Sequence, residues 1–221
     1  MTLEKDNFTV EFDDKLDYIP EVVDNLKLKL KRIMNFFELE DFDSKIKVIV
    51  YNDLESYKKH VEEFSTYYDY ICADTFDGNI NLLSLEEAHK TKEHANMTSN
   101  DLKNIIAHEF VHICQDKKEI EHLKEDISWF WEALATNLGN PTDFKKISIN
   151  ATNEEIKEFG NLEDNYLIAY TIGKYMLENY SHEEILDYVK YPTTILNDSD
   201  LILNNAREWS NNRRNVRFKS H

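Results

Sequence analysis

With 221 residues, a formal net charge of −17 and 41% hydrophobic residues, the chain is long enough to bury a core. It is also too acidic for a nucleic acid or an anionic membrane surface, which need concentrated Lys and Arg. Four glycines and three prolines leave few breakers and no linker-like stretch, which predicts one helix-rich domain over residues 1–221.

Phe8-Thr9-Val10-Glu11-Phe12 alternates as a short strand. Pro20 stands where helices start, and Val22, Val23, Leu26, Leu30, Ile33, Met34 and Phe37 follow at helical intervals to about residue 38. Residues 46–51 read as a strand, and Asp53 caps a helix to about Ser65. Asp77-Gly78 signals a hairpin between residues 70–76 and 79–83. Tyr67, Tyr68 and Tyr70 read as packing residues. Ser84 caps a short helix, and Ser99 or Asn100 opens a longer one over 100–116. A further helix starts at Asp126 or Ser128 and stops at Gly139-Asn140-Pro141. Residues 142–160 read as an irregular, polar segment with short helical turns, 166–177 as an apolar helix, and 182–190 and 198–213 as closing helices. Arg207, Arg213, Arg214, Arg217 and Lys219 suit a helix C-terminus complemented by cations. No cationic region followed by an apolar run opens the chain, so no secretory signal is expected. Nor does any stretch reach the roughly 18 apolar residues of a membrane span. Cys72 and Cys114 lack metal-type spacing, and Cys114 reads as a small buried hydrophobe. A cytoplasmic protein is expected.

The chemistry concentrates in His108-Glu109-Phe110-Val111-His112. Residues four apart share a helix face, so His108 and His112 can offer two imidazoles to one ion. Such an ion with an open position lowers the pKa of a bound water, and Glu109 stands where a carboxylate can accept that water's proton. The third ligand has to come from elsewhere. Lys118 and Gln115 occupy the places of the further histidine and the glycine of the metzincin pattern, which excludes that class. Asp116, Glu119 and Glu121 lie too close for an antiparallel helix to fold back. Glu132 sits farther on, within Ser128-Trp129-Phe130-Trp131-Glu132-Ala133-Leu134-Ala135-Thr136, an apolar stretch where an uncompensated carboxylate is costly. His60, His89, His94, His122, His182 and His221 lack ligand spacing with the pair and read as surface or packing residues.

His108-Glu109-Phe110-Val111-His112 followed by Trp131-Glu132-Ala133-Leu134-Ala135-Thr136 resembles the gluzincin metallopeptidases, which include thermolysin-like and aminopeptidase-type enzymes and small peptidase MA-like relatives. The resemblance implies a zincin-like α+β fold: an N-terminal lobe of roughly 1–116 with a small mixed sheet and helices, and a helical C-terminal lobe of roughly 117–221. The active-site helix lies in between. It also implies one zinc ion per chain on His108, His112 and Glu132, Glu109 as general base, and a tyrosine near the start of the 166–177 helix aiding the oxyanion. The register favours Tyr166, with Tyr170 the alternative one turn on. Thr136 and Asn137 occupy the place of a partner to a ligating imidazole; thermolysin-like enzymes carry an aspartate at the Thr136 position. By the same resemblance, Asn79–Leu83 is expected as an edge strand to which substrate backbone adds. Gly78-Asn79-Ile80-Asn81-Leu82 does not match the amine-holding segment of the aminopeptidases, so endopeptidase action is expected. The alternatives are a catalytically silent zincin-like interaction module and a regulatory protease dedicated to one intracellular protein.

Overall fold

The computed structural model describes residues 1–5, 8–13, 15–42, 45–68, 71–121, 123, 126–139 and 147–218. Tyr70, His122, Asn140, Pro141, Lys219 and His221 lie outside the described residues, as do the side chains of Arg214 and Arg217. The protein is α+β: among the described residues, five strands form one mixed sheet and ten α-helices accompany it. Two compact units, Met1–Ile113 and Cys114–His221, divide the chain.

The first unit holds the sheet, made of β1 (Thr2–Lys5), β2 (Phe8–Glu11), β3 (Ile46–Tyr51), β4 (Ala73–Phe76) and β5 (Asn79–Leu83), in the order β1-β2-β3-β5-β4. β2, β3 and β5 run parallel, while β1 and β4 are antiparallel edges. β1 was not anticipated, because Thr2-Leu3-Glu4-Lys5 carries little apolar alternation. The Asp77-Gly78 hairpin is present, with both residues at positive φ (50° and 70°). That pair of left-handed conformations matches the twist of the flanking strands.

The position of β5 corrects the edge-strand expectation. Val48–Tyr51 pairs with β5 on one side and β4 pairs with it on the other, so Asn79–Leu83 is internal. Its Ile80, Asn81, Leu82 and Leu83 are all buried, as a strand covered on both faces requires. The open edge at this end of the sheet is β4.

Alternation sorts the two faces of the sheet. Phe8, Val10, Val48, Val50, Ile80, Leu82 and Thr75 share one face by register, and Phe8 meets Phe110 on that side at 5.4 Å between ring centroids. Tyr51, Asn81 and Asp74 share the other face, on which α3 (Leu54–Glu62) sets Tyr57 and His60 against Tyr51. Asp53 caps α3 by accepting from Ser56 N at 2.8 Å. A single helix over 20–38 is not formed. α1 (Ile19–Asp24) and α2 (Lys27–Phe36) are separated where Leu26 N–H bonds three residues back, to Val23 O, and tightens the chain. α2 closes with Glu38 at φ 51° and Leu39 N–H on Met34 O, a Schellman arrangement with glutamate in the glycine place. Ser84 caps the short α4 (Leu85–Ala88) as expected.

α5 (Ser99–Lys118) starts from Thr98 rather than Ser99. Thr98 N and Oγ1 donate to Asp101 Oδ2 while Asp101 N donates to Thr98 Oγ1, a reciprocal cap. In the second unit, Asp126 accepts from Ser128 N at the start of α6 (Ser128–Leu138). α7 (Asn153–Lys157) and a 3₁₀ turn at Phe159–Asn161 are short helical turns of the kind expected in the irregular 142–160 stretch. α8 (Asn165–Asn179), α9 (His182–Lys190) and α10 (Pro192–Phe218) follow. α10 starts at Pro192, where a missing N–H is harmless, and not at 198. Arg207 reaches Ala151 O and Asn153 Oδ1, and Arg213 lies over Trp209 and pairs with Glu178. These two cations are structural. Among the described residues, no helix is long and apolar enough to cross a membrane.

Candidate metal centre

α5 is amphipathic in the way the site needs. Leu102, Ile106, Phe110, Val111 and Cys114 are buried, while His108, Glu109 and His112 are only partly so. The helical rise therefore presents the imidazoles together, with Nε2 of His108 and Nε2 of His112 3.2 Å apart. Two zinc–nitrogen bonds of about 2.05 Å at a tetrahedral angle put their nitrogens roughly 3.3 Å apart. The pair thus has the spacing of one edge of a zinc tetrahedron before any ion is placed.

Glu132 is carried by α6, whose Trp129, Phe130, Ala133, Leu134 and Ala135 are buried. The last turns of α5 are held to this helix by Gln115, whose Nε2 donates to Trp131 O at 3.0 Å. Gln115 lies one helical turn after His112, and Trp131 immediately precedes Glu132. One ligand atom each from His108, His112 and Glu132 lie within 4.8 Å of one another. Two neutral imidazoles and a carboxylate form the donor set of open, catalytic zinc sites, which leave a fourth position for water. The residues present fit zinc.

Farther along α6, Thr136 Oγ1 is buried and has no hydrogen-bond partner among the described residues. Asn137 is taken up in packing: its Nδ2 donates to Ala133 O at 2.8 Å and Tyr170 O at 3.0 Å. α8 can come this close because Gly173 faces it; a Cβ there would stand 2.1 Å from Ala133 O.

Glu109 has a partner that sequence reasoning missed. Thr75 Oγ1 on the edge strand β4 donates to Glu109 Oε2 at 2.7 Å. The signal was present but faint, a polar residue two positions before the turn, in register with Ile80 on the core face. On the opposite face of the same strand, Asp74 Oδ1 meets His60 Nε2 at 3.2 Å and accepts from Asn81 Nδ2 at 3.0 Å. His60 is thus a packing histidine, as is His89, whose Nε2 lies 2.7 Å from Met97 O. Burial, and next the Glu109 carboxylate, push the Cys72 thiol up to about 12. Burial likewise raises Cys114. Both cysteines are free and buried, and neither belongs to the His108, His112 and Glu132 group.

Tyr166 stands in the first turn of α8, 44% exposed, with its ring edge-on to Phe159. Tyr170 is buried, and its hydroxyl accepts from Lys174 Nζ at 3.3 Å. Compared with known proteins, the chain matches no family model, no curated protein and no solved structure.

Proposed function

We propose that this protein is a zinc-dependent endopeptidase of zincin-like fold. The observation that carries the reading is the 3.2 Å separation of the His108 and His112 nitrogens, with a Glu132 oxygen in the same cluster. His108, His112 and Glu132 would hold one zinc ion. Bound there, zinc supplies a water of lowered pKa and polarises the scissile carbonyl. Glu109 accepts the proton of the attacking water and returns it to the leaving amine. Thr75, by donating to Oε2, leaves Oε1 as the atom that takes this proton. Tyr166, with Tyr170 as the alternative, donates to the carbonyl oxygen as charge develops on it. The substrate is a peptide or protein in extended form, paired with the open edge of β4 rather than with β5. Two free, buried cysteines accord with a reducing cytoplasm. An excess of 43 acidic over 26 basic side chains accords with a partner that is neither nucleic acid nor membrane.

Elemental analysis of protein purified without added zinc or an affinity tag tests the ligand set. About one zinc per chain is expected, and it is lost in Glu132→Ala. Glu109→Gln should keep the zinc and lose peptide cleavage. Retained turnover in zinc-loaded Glu109→Gln removes the mechanism. A zinc-loaded wild type that cleaves nothing in a peptide library favours a silent interaction module or a protease with one dedicated target.

A further inference from the structure

The hydrogen-bond register of β4 decides which of its backbone groups face the open edge. Leu83 N–H donates to Cys72 O at 2.9 Å, in line with the β4–β5 pairing. Cys72 and Leu83 are therefore a hydrogen-bonded pair, and such pairs alternate with non-bonded ones along an antiparallel ladder. Asp74 and Phe76 are thus bonded to β5, whereas the N–H and C=O groups of Ala73 and Thr75 turn away from it. Thr75 is also the residue whose side chain donates to Glu109 Oε2. A peptide strand added to β4 takes its hydrogen bonds from the residue that holds Glu109. Side chains alternate between the two faces of a strand. The peptide residue beside Thr75 consequently shares the face of Glu109, and its two neighbours turn to the opposite face, one beside Asp74 and the other beside Phe76.

On that opposite face the edge carries two rings left largely in water. Phe64, just past the end of α3, and Phe76 stack with ring centroids 4.2 Å apart and planes 9° from parallel, and they stay 39% and 42% exposed. Exposure forgoes the stabilisation that burial of a phenyl ring brings. The pair is nevertheless held firmly. His60 stands edge-on to both rings, 5.2 Å from Phe64 and 6.1 Å from Phe76. It is fixed in turn by Tyr51, stacked at 5.5 Å, and by Asp74 Oδ1, 3.2 Å from its Nε2. A residue directly opposite Phe76 on an added strand has its Cβ about 4.5–5.5 Å away, and aromatic pairs are among the cross-strand contacts that stabilise. Rings already in place lose little freedom when such a partner arrives.

We propose that Phe64 and Phe76 select the substrate by taking an aromatic side chain from the peptide residue next to the one that shares the face of Glu109. This inference rests on the reading of β4 as the substrate-binding edge and adds the substrate class, an extended peptide with an aromatic residue at one fixed position. Binding is measured by fluorescence anisotropy on full-length Glu109→Gln protein, which leaves peptides intact, with extended Thr/Val peptides that differ only in a central Phe, Lys or Ala. The Phe peptide is expected to bind about tenfold more tightly than the Ala peptide, as burial against an aromatic pair implies. Phe76→Ala in that background should remove the advantage and leave the affinity for the Ala peptide unchanged. Phe64→Ala, outside the sheet, should do the same, and replaces it if circular dichroism shows the Phe76→Ala protein misfolded. Absence of saturable peptide binding overturns the proposal, as do equal affinities for the Phe and Ala peptides, or a Phe advantage that survives both substitutions. Wild-type protein then separates this inference from the peptidase reading. Cleavage at a fixed distance from the Phe supports both, Phe-selective binding without cleavage overturns the peptidase reading alone, and cleavage indifferent to the Phe overturns the selection alone.

Discussion

Glu109 is set by one hydroxyl. A carboxylate beside a metal ligand on a helix has several rotamers within reach of solvent, and the Thr75 hydrogen bond selects among them. Hydrogen bonds to a charged group contribute about 1.5–3 kcal/mol, and each 1.36 kcal/mol of barrier is about tenfold in rate. Thr75→Val is therefore expected to lower kcat by about tenfold or more with KM and zinc content near wild type, while Thr75→Ser keeps the rate. Unchanged turnover in Thr75→Val would reduce this contact to packing. The contrast between Thr75 and the histidines also explains what could be read in advance. His108, Glu109 and His112 follow from helix geometry over five residues, and Glu132 from one carboxylate in an apolar run. Thr75 depends on the register of β4 with β5, and the pairing of β5 with β3, thirty residues away, is not written in any local spacing.

Elements came out where an apolar stripe, a cap or a turn signal marked them, and were missed or misplaced where no such signal marked the boundary. α5, α6 and α8 have dense apolar stripes and local stop signals, so their existence was legible; β1, with four residues and one apolar side chain, was not. The division of α1 from α2 at Asn25–Leu26 was hidden because both sides keep the same 3.6-residue stripe, and only the hydrogen-bond step shows the turn. Two substitutions test how elements are held. Gly173 faces Ala133 O, a backbone atom that cannot give way as a flexible side chain would. Gly173→Ala should force α8 off α6, destabilising the protein by about 1–3 kcal/mol or more, and reduce zinc content because Glu132 lies one residue before Ala133. A Gly173→Ala protein with wild-type melting temperature and metal content would contradict this account of the seam. At the end of α2 the sign reverses. Glu38 holds a left-handed conformation at φ 51°, which costs an L-residue about 1–2 kcal/mol. Glu38→Gly relieves that strain while freeing the unfolded chain, for a net gain of about 0.5–1 kcal/mol in urea denaturation.

At the scale of the molecule, the dominant fact is a net charge of −17. Ion pairs such as Lys45–Glu4, Lys157–Asp200 and Arg213–Glu178 have their acidic side chains 36–66% exposed. Such pairs contribute about 0–1 kcal/mol each, too little to offset the mutual repulsion of the excess carboxylates. Salt decides between the two terms: raising it from about 0.01 to 0.15 M shortens the screening length from about 30 to 8 Å. The melting temperature of the metal-free protein should rise with salt; a fall would mean that the ion pairs outweigh the repulsion. Acid adds a second arm whose sign can be worked out. Hydrogen bonds from Ser56, Thr152 and Ser181 hold Asp53, Glu155 and Glu184 below their ordinary values of 3.8, 4.5 and 4.5. A depressed folded pKa stabilises the fold above the ordinary value, and that contribution is lost as the pH falls through the folded one. Between neutral pH and about pH 5 these caps stay ionised while the net charge shrinks toward the pI near 4.8. Metal-free protein at low salt should therefore become more resistant to urea from pH 8 to 5 and then lose stability steeply below about pH 4. If zinc binds as proposed, the zinc-loaded protein should behave oppositely over the upper range, because protons compete with a metal for its ligands and the stabilisation that ligand binding confers falls with the affinity. Crossing urea curves for the two forms between pH 8 and 5 would show both effects at once, and parallel curves would show that zinc is not linked to folding.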